Sequence, residues 1–262
     1  MRQFYEAYRD TPIVSALLTQ LPWTHHLIIL GQSKRPEERE FYIRMAAQEH
    51  WSSRQLERQF NAALFERVVL SPPKVSAAVR QMHPEAVDVF RDAYTVEFLG
   101  LPHEHSENDL HRALLNRMKD FLLELGRDFC FIGSEFPVQV GTRDFALDLL
   151  FFHRGLNCLV AFELKVQRFE PEHLGKLNFY LSAVDDQLRA ADDQPTIGLI
   201  LCKDKDKLDV EYALRDIHKP MGVSSFITKD IPLSVQSQLP TVEEIETELT
   251  ALIQDGEKAP DA

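Results

Sequence analysis

The sequence RDFALDLLFFHRGLNCLVAFELK, at residues 143–165, contains two apolar runs separated by a short polar segment at residues 154–156. Runs of this length that are rich in Phe, Leu and Val are typical of β-strands, and a short connection containing glycine is typical of an antiparallel hairpin. Both faces of the first run are apolar, so we expect other elements to cover both sides of the sheet. Asp148 interrupts this run, and a buried carboxylate is costly unless it is paired or bound to a metal ion.

A hairpin with its turn at residues 154–156 places a second carboxylate nearly opposite Asp148. Side chains alternate between the faces of a strand, so Glu163 and Lys165 share one face at the far end of the second strand. Two carboxylates this close repel each other unless one is protonated or a cation lies between them. Hard oxygen ligands favour Mg²⁺ or Mn²⁺, so we predict that Asp148 and Glu163 hold one of these ions.

Lys165 adds a positive charge beside this predicted metal site. It could orient or activate an attacking water and neutralise developing negative charge. A metal ion, two carboxylates and a lysine suit the hydrolysis of phosphodiester bonds, so we predict catalytic roles for Asp148, Glu163 and Lys165. The alternative is a structural Glu163–Lys165 pair, with Asp148 capped by backbone donors.

The regions around the hairpin predict an α/β core. A capped helix at 106–126, a strand at 129–140 and the hairpin strands at 143–153 and 157–165 are followed by a helix at 171–191 and a strand at 196–203. This order of a helix, a three-stranded antiparallel meander, a helix and a strand indicates helices packed on a sheet. We also expect a helix at 206–217, a strand at 223–228 and a helix at 242–253.

The first part of the chain predicts helices only. One helix covers residues 36–49, and another begins after a capping box formed by Ser52 and Gln55 and continues to Ser71. Residues 74–84 lack a clear pattern, and we interpret them as a linker. We therefore expect a small all-helical domain at 1–84, an α/β domain at 85–254 and a frayed tail at 255–262.

Composition narrows the class of protein. Hydrophobic residues make up 44% of the 262 residues and charged residues 27%, as in soluble globular proteins. No apolar run is long enough to span a bilayer, and the N-terminus does not resemble a secretory signal. The three cysteines all lie in apolar runs, which predicts core residues in a reducing compartment. We expect a cytoplasmic protein with no membrane partner, whose net charge of −12 is concentrated after residue 80.

Several motifs, taken together, resemble a known family. Asp148 followed by Glu163-Leu164-Lys165, in this order of elements, resembles the PD-(D/E)XK nuclease superfamily, and the chain more closely resembles its YhcG-type bacterial members. The resemblance covers nearly the whole chain and rests on MRQFY at 1–5, WS at 51–52, YTVEFLGL at 94–101, FLLELG at 121–126, DLLF at 148–151, ELK at 163–165, NFYLS at 178–182 and PTIGLILC at 195–202.

The resemblance implies a restriction-endonuclease-like core in which Asp148, Glu163 and Lys165 form the central triad. It also implies that a helical domain which binds nucleic acid precedes this core, and that the domain is shortened in this chain. The family commonly has a Glu on the first core helix and a Gln on the helix after the lysine, and the matching residues here are His111 and Lys176.

The replacement of the family's Glu and Gln by His111 and Lys176 has functional and neutral interpretations. His111 could ligate Mn²⁺ through its imidazole but suits Mg²⁺ poorly, so we expect better activity with Mn²⁺. Lys176 could contact a phosphate as a point charge. Tyr180, one turn beyond Lys176, could contact substrate or pack in the core. The alternatives are that both changes are tolerated on exposed helix faces or that the site is decaying.

The capped helix after Ser52 carries two candidate nucleic-acid contacts, Arg54 and Arg58. They lie four residues apart, as on a recognition helix, and the alternative is a solvated face paired with acids such as Glu57. The helical domain could also bind a protein partner or form a homodimer.

The favoured hypothesis is a metal-dependent nuclease, a phosphodiesterase acting on DNA, with RNA not excluded. The rival is a nucleic-acid-binding or assembly module that keeps the nuclease fold but has impaired catalysis, as His111 and Lys176 suggest. A third hypothesis is a scaffold in a defence or toxin complex, which would bind protein partners but not DNA.

Overall fold

The computed structural model describes residues 2–8, 17–102 and 104–228, which all belong to one unit of the chain, Met1–Asp230. The predicted helix at 242–253 and the tail at 255–262 lie outside these residues. Within them, no helix has both the length and the apolar character needed to cross a membrane.

The first elements are helices that share one apolar core. They are α1 (Arg2–Tyr8), α2 (Trp23–Gln32), α3 (Pro36–Gln48), α4 (Ser53–Asn61) and α5 (Leu64–Leu70). The predicted capping box is confirmed, since Ser52 and Gln55 bond reciprocally at the start of α4. The prediction of one helix from Ser52 to Ser71 is wrong, because Ala63 adopts a left-handed conformation with φ of 47° and separates α4 from α5. The core of these helices contains Tyr8, Ile29, Tyr42, Ile43, Ala46, Trp51, Leu56 and Leu64.

The predicted linker at 74–84 is ordered structure. The elements that follow α5 are β1 (Lys74–Val75), α6 (Ala77–Met82), α7 (Ala86–Val89), β2 (Ala93–Thr95) and a 3₁₀-helix (Glu97–Leu99). β1 pairs antiparallel and β2 parallel with a late strand, Met221–Ile227, so both belong to the main sheet. Two residues of the predicted linker, Ser76 and Val79, are buried.

The α/β core has the predicted order of elements. It contains α8 (Glu107–Asn116), α9 (Met118–Leu125), β3 (Phe129–Val140), β4 (Arg143–His153), β5 (Cys158–Arg168), α10 (Glu172–Gln187), β6 (Gln194–Asp204), α11 (Lys207–Arg215) and β7 (Met221–Ile227). The sheet order is β1-β7-β6-β5-β4-β3, with β3, β4 and β5 forming an antiparallel meander and β5, β6 and β7 running parallel. The helix predicted at 106–126 is divided at Arg117, where the backbone leaves the helical conformation.

Both faces of the sheet are covered, as the apolar strands predict. One core joins the sheet to α8 and α9, and the other joins it to α10 and α11. Val160 and Phe162 lie in the first core, and Leu159 and Ala161 lie in the second, which confirms the predicted alternation along β5.

The prediction for the cysteines is wrong at one position. Cys158 and Cys202 are buried, but Cys130 is exposed. Cys130 begins a stretch of β3 in which Phe131 and Ile132 are also exposed, at the edge of the sheet in the described part of the chain.

Candidate active site

Asp148 and Glu163 lie where the ladder between β4 and β5 ends. Its pairs run from His153–Cys158 to Leu149–Phe162, which is the register that the hairpin predicts. Asp148 and Glu163 are the next residues on the two strands. The Leu164 backbone N–H donates to Asp148 Oδ2 over 2.7 Å, so the Asp148 carboxylate is tied to the neighbouring strand.

The Glu163 carboxylate is fully buried, yet only one of its oxygens has partners. Glu163 Oε1 lies 3.1 Å from Lys165 Nζ and 2.5 Å from Lys176 Nζ. Glu163 Oε2 is buried and accepts no hydrogen bond from the residues that the structure describes. A buried carboxylate oxygen without a partner is uncommon in folded proteins and calls for an explanation such as a bound ion.

The carboxyl of Asp148 is affected by its neighbour. Burial raises the pKa of Asp148, and the negative charge of Glu163 raises it further. The hydrogen bond from Leu164 and the charges of Lys176 and Lys165 act in the opposite direction without cancelling this rise. A divalent cation between the carboxylates would relieve this repulsion.

Lys176 reaches Glu163 from α10. Burial tends to lower the pKa of Lys176, but the hydrogen bond to Glu163 and the charges of Glu163 and Asp148 outweigh it and raise this pKa. Its ammonium group also lies 5.3 Å from the ring centre of Tyr180. The Tyr180 side chain is 3% exposed and belongs to the core between the sheet and α10, so of the two alternatives for this residue the structure favours packing.

Lys165 has a second acidic neighbour that the sequence analysis missed. Its Nζ lies 3.3 Å from the carboxylate oxygens of Glu107, the first residue of α8, and donates to the backbone oxygen of Leu164 over 3.0 Å. Glu107 precedes His111 by four residues, and residues four apart share a helix face. That spacing is the signal by which Glu107 could have been found.

His111 contacts the main chain of Asp148. Its Nε2 lies 3.2 Å from the main-chain oxygen of Asp148, and because a carbonyl only accepts, this nitrogen donates and Nδ1 keeps the lone pair. No group of three or more His, Cys, Asp or Glu side chains in the described ranges is arranged to hold a metal ion. Metal-ligating histidines commonly donate their other ring N–H to a main-chain carbonyl, so His111 as a ligand, and the Mn²⁺ preference expected from it, stay predictions.

Arg58 does not face solvent as a nucleic-acid contact would. Its guanidinium lies 2.9 Å from Glu124 Oε2 and 2.6 Å from Glu97 Oε1, and it donates to the main-chain oxygen of Thr95 over 2.8 Å. These contacts occupy the group that the prediction assigned to phosphate, so that assignment is corrected. Arg54 is exposed on α4, as both a nucleic-acid contact and a solvated face would be, so its role stays a prediction.

Glu124 is the centre of a buried ionic cluster, which we call the Glu124 cluster and define as Glu124, Arg58, Arg67, Arg91 and Glu97. Glu124 is fully buried, and guanidinium nitrogens of the three arginines lie 2.9–3.6 Å from its oxygens. The cluster connects α4 and α5 with α9 of the α/β core.

Comparison with known proteins identifies the family. The YhcG PDDEXK nuclease domain matches residues 87–240, which is more than half of the chain, and the DUF1016 N-terminal domain matches residues 1–67. The chain belongs to the YhcG PDDEXK nuclease family. It is 37% identical over 218 residues to the "Putative nuclease YhcG" of Escherichia coli (strain K12). This match covers 81% of the chain and 58% of that relative, so the chain spans somewhat over half the relative's length.

Solved structures show weaker similarity. A repair endonuclease from Pyrococcus abyssi is 14% identical with a TM-score of 0.34, and EndoMS in a complex with dsDNA is 13% identical with a TM-score of 0.33. Each match covers 50% of both chains. Likeness at this level supports no conclusion about substrate.

Family membership confirms the resemblance and the restriction-endonuclease-like fold class with a helical N-terminal region. It identifies the chain as a member of a nuclease family whose superfamily generally uses divalent metal ions.

Proposed function

We propose that the protein is a nuclease that uses Mg²⁺ or Mn²⁺ to hydrolyse phosphodiester bonds in DNA, with RNA as a possible second substrate. Asp148 and Glu163 would hold the ion, and Lys165 would act on the attacking water. The observation that carries this proposal is the convergence of two carboxylates at the end of the β4–β5 ladder, one of which has a buried oxygen without a described partner.

The residues present fit a hard divalent ion. Mg²⁺ in proteins is commonly bound by one or two carboxylates and completes its coordination with waters and substrate phosphate, so a third protein ligand is unnecessary. When bound, such an ion supplies Lewis-acid stabilisation to the phosphoryl oxygens. Glu163 Oε2 and the Asp148 carboxylate are the oxygens that would bind it.

Lys165 is held in position for its role by three oxygen groups. Glu163 Oε1, the Leu164 carbonyl and Glu107 all lie within 3.3 Å of its Nζ. This arrangement keeps the ammonium beside the two carboxylates, where it can orient a water and stabilise negative charge that develops on phosphate. Its side chain is only 14% exposed, which limits its freedom to leave.

We assign binding of the nucleic-acid backbone to Lys176 and to Arg54 on the helical domain. The ammonium of Lys176 would move from Glu163 to a phosphate group. Because the chain is acidic overall, binding should depend on these cations and on the metal, and it should weaken as salt is added.

We place the boundary between the helical and nuclease-like domains at residues 71–73, because Lys74 already pairs in the sheet. The helical domain remains the candidate surface for a protein partner or a second copy.

The second candidate is a nucleic-acid-binding module with impaired catalysis. It is favoured by Lys176, whose ammonium already neutralises the buried Glu163, and by His111, which bonds to the backbone of Asp148. This module would bind nucleic acid without cutting it.

The test is a cleavage assay on plasmid DNA, labelled duplex and labelled RNA with Mg²⁺, Mn²⁺ or EDTA. Asp148→Asn and Lys165→Met should each lower the rate by about 100-fold or more, in the range of positioned acid–base groups. Asp144→Asn, at an exposed residue of the same strand, and Lys119→Met, at an exposed lysine of α9, are the matched controls and should cut like the wild type.

Each outcome has one meaning. Cleavage that persists in EDTA, or in Asp148→Asn, would overturn the proposal. Binding of the duplex without cleavage under any metal condition would favour the second candidate.

A further inference from the structure

Two ammonium groups converge on one oxygen of Glu163. Lys165 comes from the same strand, whereas Lys176 comes from α10 and is 47% exposed. The Lys176 contact is the shorter one, at 2.5 Å against 3.1 Å. Lys165 already supplies Glu163 Oε1 with one ammonium partner, so Lys176 is a second partner for the same oxygen.

The second ammonium changes the charge of the site. Asp148, Glu163 and Glu107, whose carboxylate lies 3.3 Å from Lys165, carry three negative charges. Lys165 and Lys176 carry two positive charges, so the five groups have a net charge of about −1 before any ion arrives. A neutral side chain at position 176 would make this net charge about −2, which attracts a divalent cation more strongly.

The position of Lys176 also limits which oxygens of Glu163 can bind a metal ion. Its ammonium and that of Lys165 both contact Glu163 Oε1 and leave only Oε2 without a described partner. Glu163 can then offer a metal one oxygen instead of two. A divalent ion at that oxygen would lie on the carboxylate beside a fixed positive charge, and like charges at short range in a partly buried site repel strongly.

We propose that Lys176 is a tethered counter-cation that lowers the metal affinity of the substrate-free protein. The inference rests on the proposed function only in taking Asp148 and Glu163 as the metal ligands. Lys176 is a positioning residue in this account, because it acts on the ion through Glu163 and through charge.

The test measures metal binding by the full chain without any substrate. Free Mn²⁺ is counted by electron paramagnetic resonance during titration of the wild type and of Lys176→Gln, Lys176→Arg and Lys119→Gln. Lys176→Gln should bind Mn²⁺ about tenfold more tightly, which corresponds to about 1.4 kcal/mol. Lys176→Arg keeps the charge and should bind like the wild type, and so should Lys119→Gln, which removes a charge from an exposed residue of α9.

A double variant identifies the site that is measured. Adding Asp148→Asn to Lys176→Gln should abolish the gain in affinity. The inference is overturned if Lys176→Gln binds Mn²⁺ no more tightly than the wild type, if Lys119→Gln gains as much, or if the gain survives Asp148→Asn.

The Mn²⁺ titration tests this inference separately from the cleavage assay, which tests the proposed nuclease function. A Lys176→Gln protein that gains Mn²⁺ affinity at this site but cuts no nucleic acid would support the inference and contradict the proposed nuclease function. Cleavage that depends on Asp148, together with an unchanged Mn²⁺ affinity in Lys176→Gln, would support the function and overturn the inference.

Discussion

Replacing Glu124 with Gln should destabilise the protein strongly. Glu124 is fully buried, and its Oε2 lies 2.9 Å from Arg58 while its Oε1 lies 3.2 Å from Arg91 and 3.6 Å from Arg67. The Thr95 backbone N–H also donates to Oε1 over 3.0 Å. The amide of Gln would leave three largely buried guanidinium groups with Glu97 as the remaining acid of the cluster.

The magnitude follows from the cost of uncompensated buried charge. Removing one partner of a buried ion pair costs about 3–5 kcal/mol. Glu97 is partly exposed and contacts Arg58 only within the cluster, so Glu97→Gln should cost less, about 1–2 kcal/mol. Urea unfolding followed by circular dichroism measures both losses, and Glu124→Asp, which keeps the charge, should lose less stability than Glu124→Gln.

The same carboxylate predicts a dependence on pH. Burial tends to raise the pKa of Glu124, but the charges of Arg91, Arg67 and Arg58 outweigh it and hold this pKa below its usual value. A carboxyl whose pKa is lower in the folded state stabilises the protein above its unfolded pKa of about 4.3, and this contribution is lost as the pH falls through the folded pKa. The free energy of unfolding should therefore fall more steeply below pH ~4.3 in the wild type than in Glu124→Gln.

Three results would refute this reasoning. They are a loss below about 1 kcal/mol in Glu124→Gln, an Asp variant less stable than the Gln variant, or equal acid dependence in the wild type and Glu124→Gln. Should Glu124→Gln fail to fold, Glu97→Gln still tests the cluster, because a loss of less than a few tenths of a kcal/mol there would contradict it.

Three further predictions concern packing, thiols and metal choice. Gly198→Ala should cost about 1–3 kcal/mol in urea unfolding, because the new Cβ would lie 2.9 Å from a leucine side chain of α10; an unchanged midpoint would contradict this packing. Ellman's reagent should label only Cys130 in the folded protein and all three thiols in urea, because burial raises the pKa of Cys158 to about 12 and of Cys202 to about 11; rapid labelling of a second thiol would be contrary evidence. His111→Ala should raise the ratio of Mg²⁺ to Mn²⁺ activity, because an imidazole ligand suits Mn²⁺ better than Mg²⁺; an unchanged ratio in cleavage assays would count against His111 as a ligand.

The strands of the core could be predicted closely because their signals are local. Apolar runs with short turns between them predict the bounds of β3 and β4 and the register of β4 with β5. They do not predict the continuation of β5 to Arg168 or the register shift between Phe131 and Gly133 on β3. The helix breaks could not be predicted in this way. The apolar spacing of Leu56, Phe60 and Leu64 continues across the break at Ala63, and alanine gives no sign of a left-handed conformation.

The short strands were missed for a different reason. Lys74–Val75 and Ala93–Thr95 are too short to show a period of two, and both become strands by pairing with β7, far along the chain. Such pairing is a property of the tertiary structure. It also explains why residues 74–84 were misinterpreted as a linker.

The residues of the candidate site also fall into those that a local sequence pattern predicts and those that only the tertiary structure brings together. Asp148 and Glu163 belong to one hairpin, so the sequence predicts their approach. Lys176 and Glu107 meet them only because α10 and α8 pack on the sheet, and no local pattern contains that contact. Arg58 was misassigned likewise, since its partner Glu124 lies on α9, 66 residues further along the chain.

Two fully buried glutamates of this chain differ in a way that bears on function. Both oxygens of Glu124 accept from several N–H donors, and its pKa is lowered, as expected of a structural ion pair. Glu163 leaves a buried oxygen without a described partner beside Asp148, whose pKa is raised. Burying a charge costs several kcal/mol, and an apolar residue in a strand such as β5 would avoid that cost. The buried carboxylate of Glu163 has this cost and still lacks a hydrogen bond at one oxygen, so a role in stability does not explain it. Binding of a ligand at that oxygen explains it better, and a divalent cation prefers carboxylate oxygens of this kind.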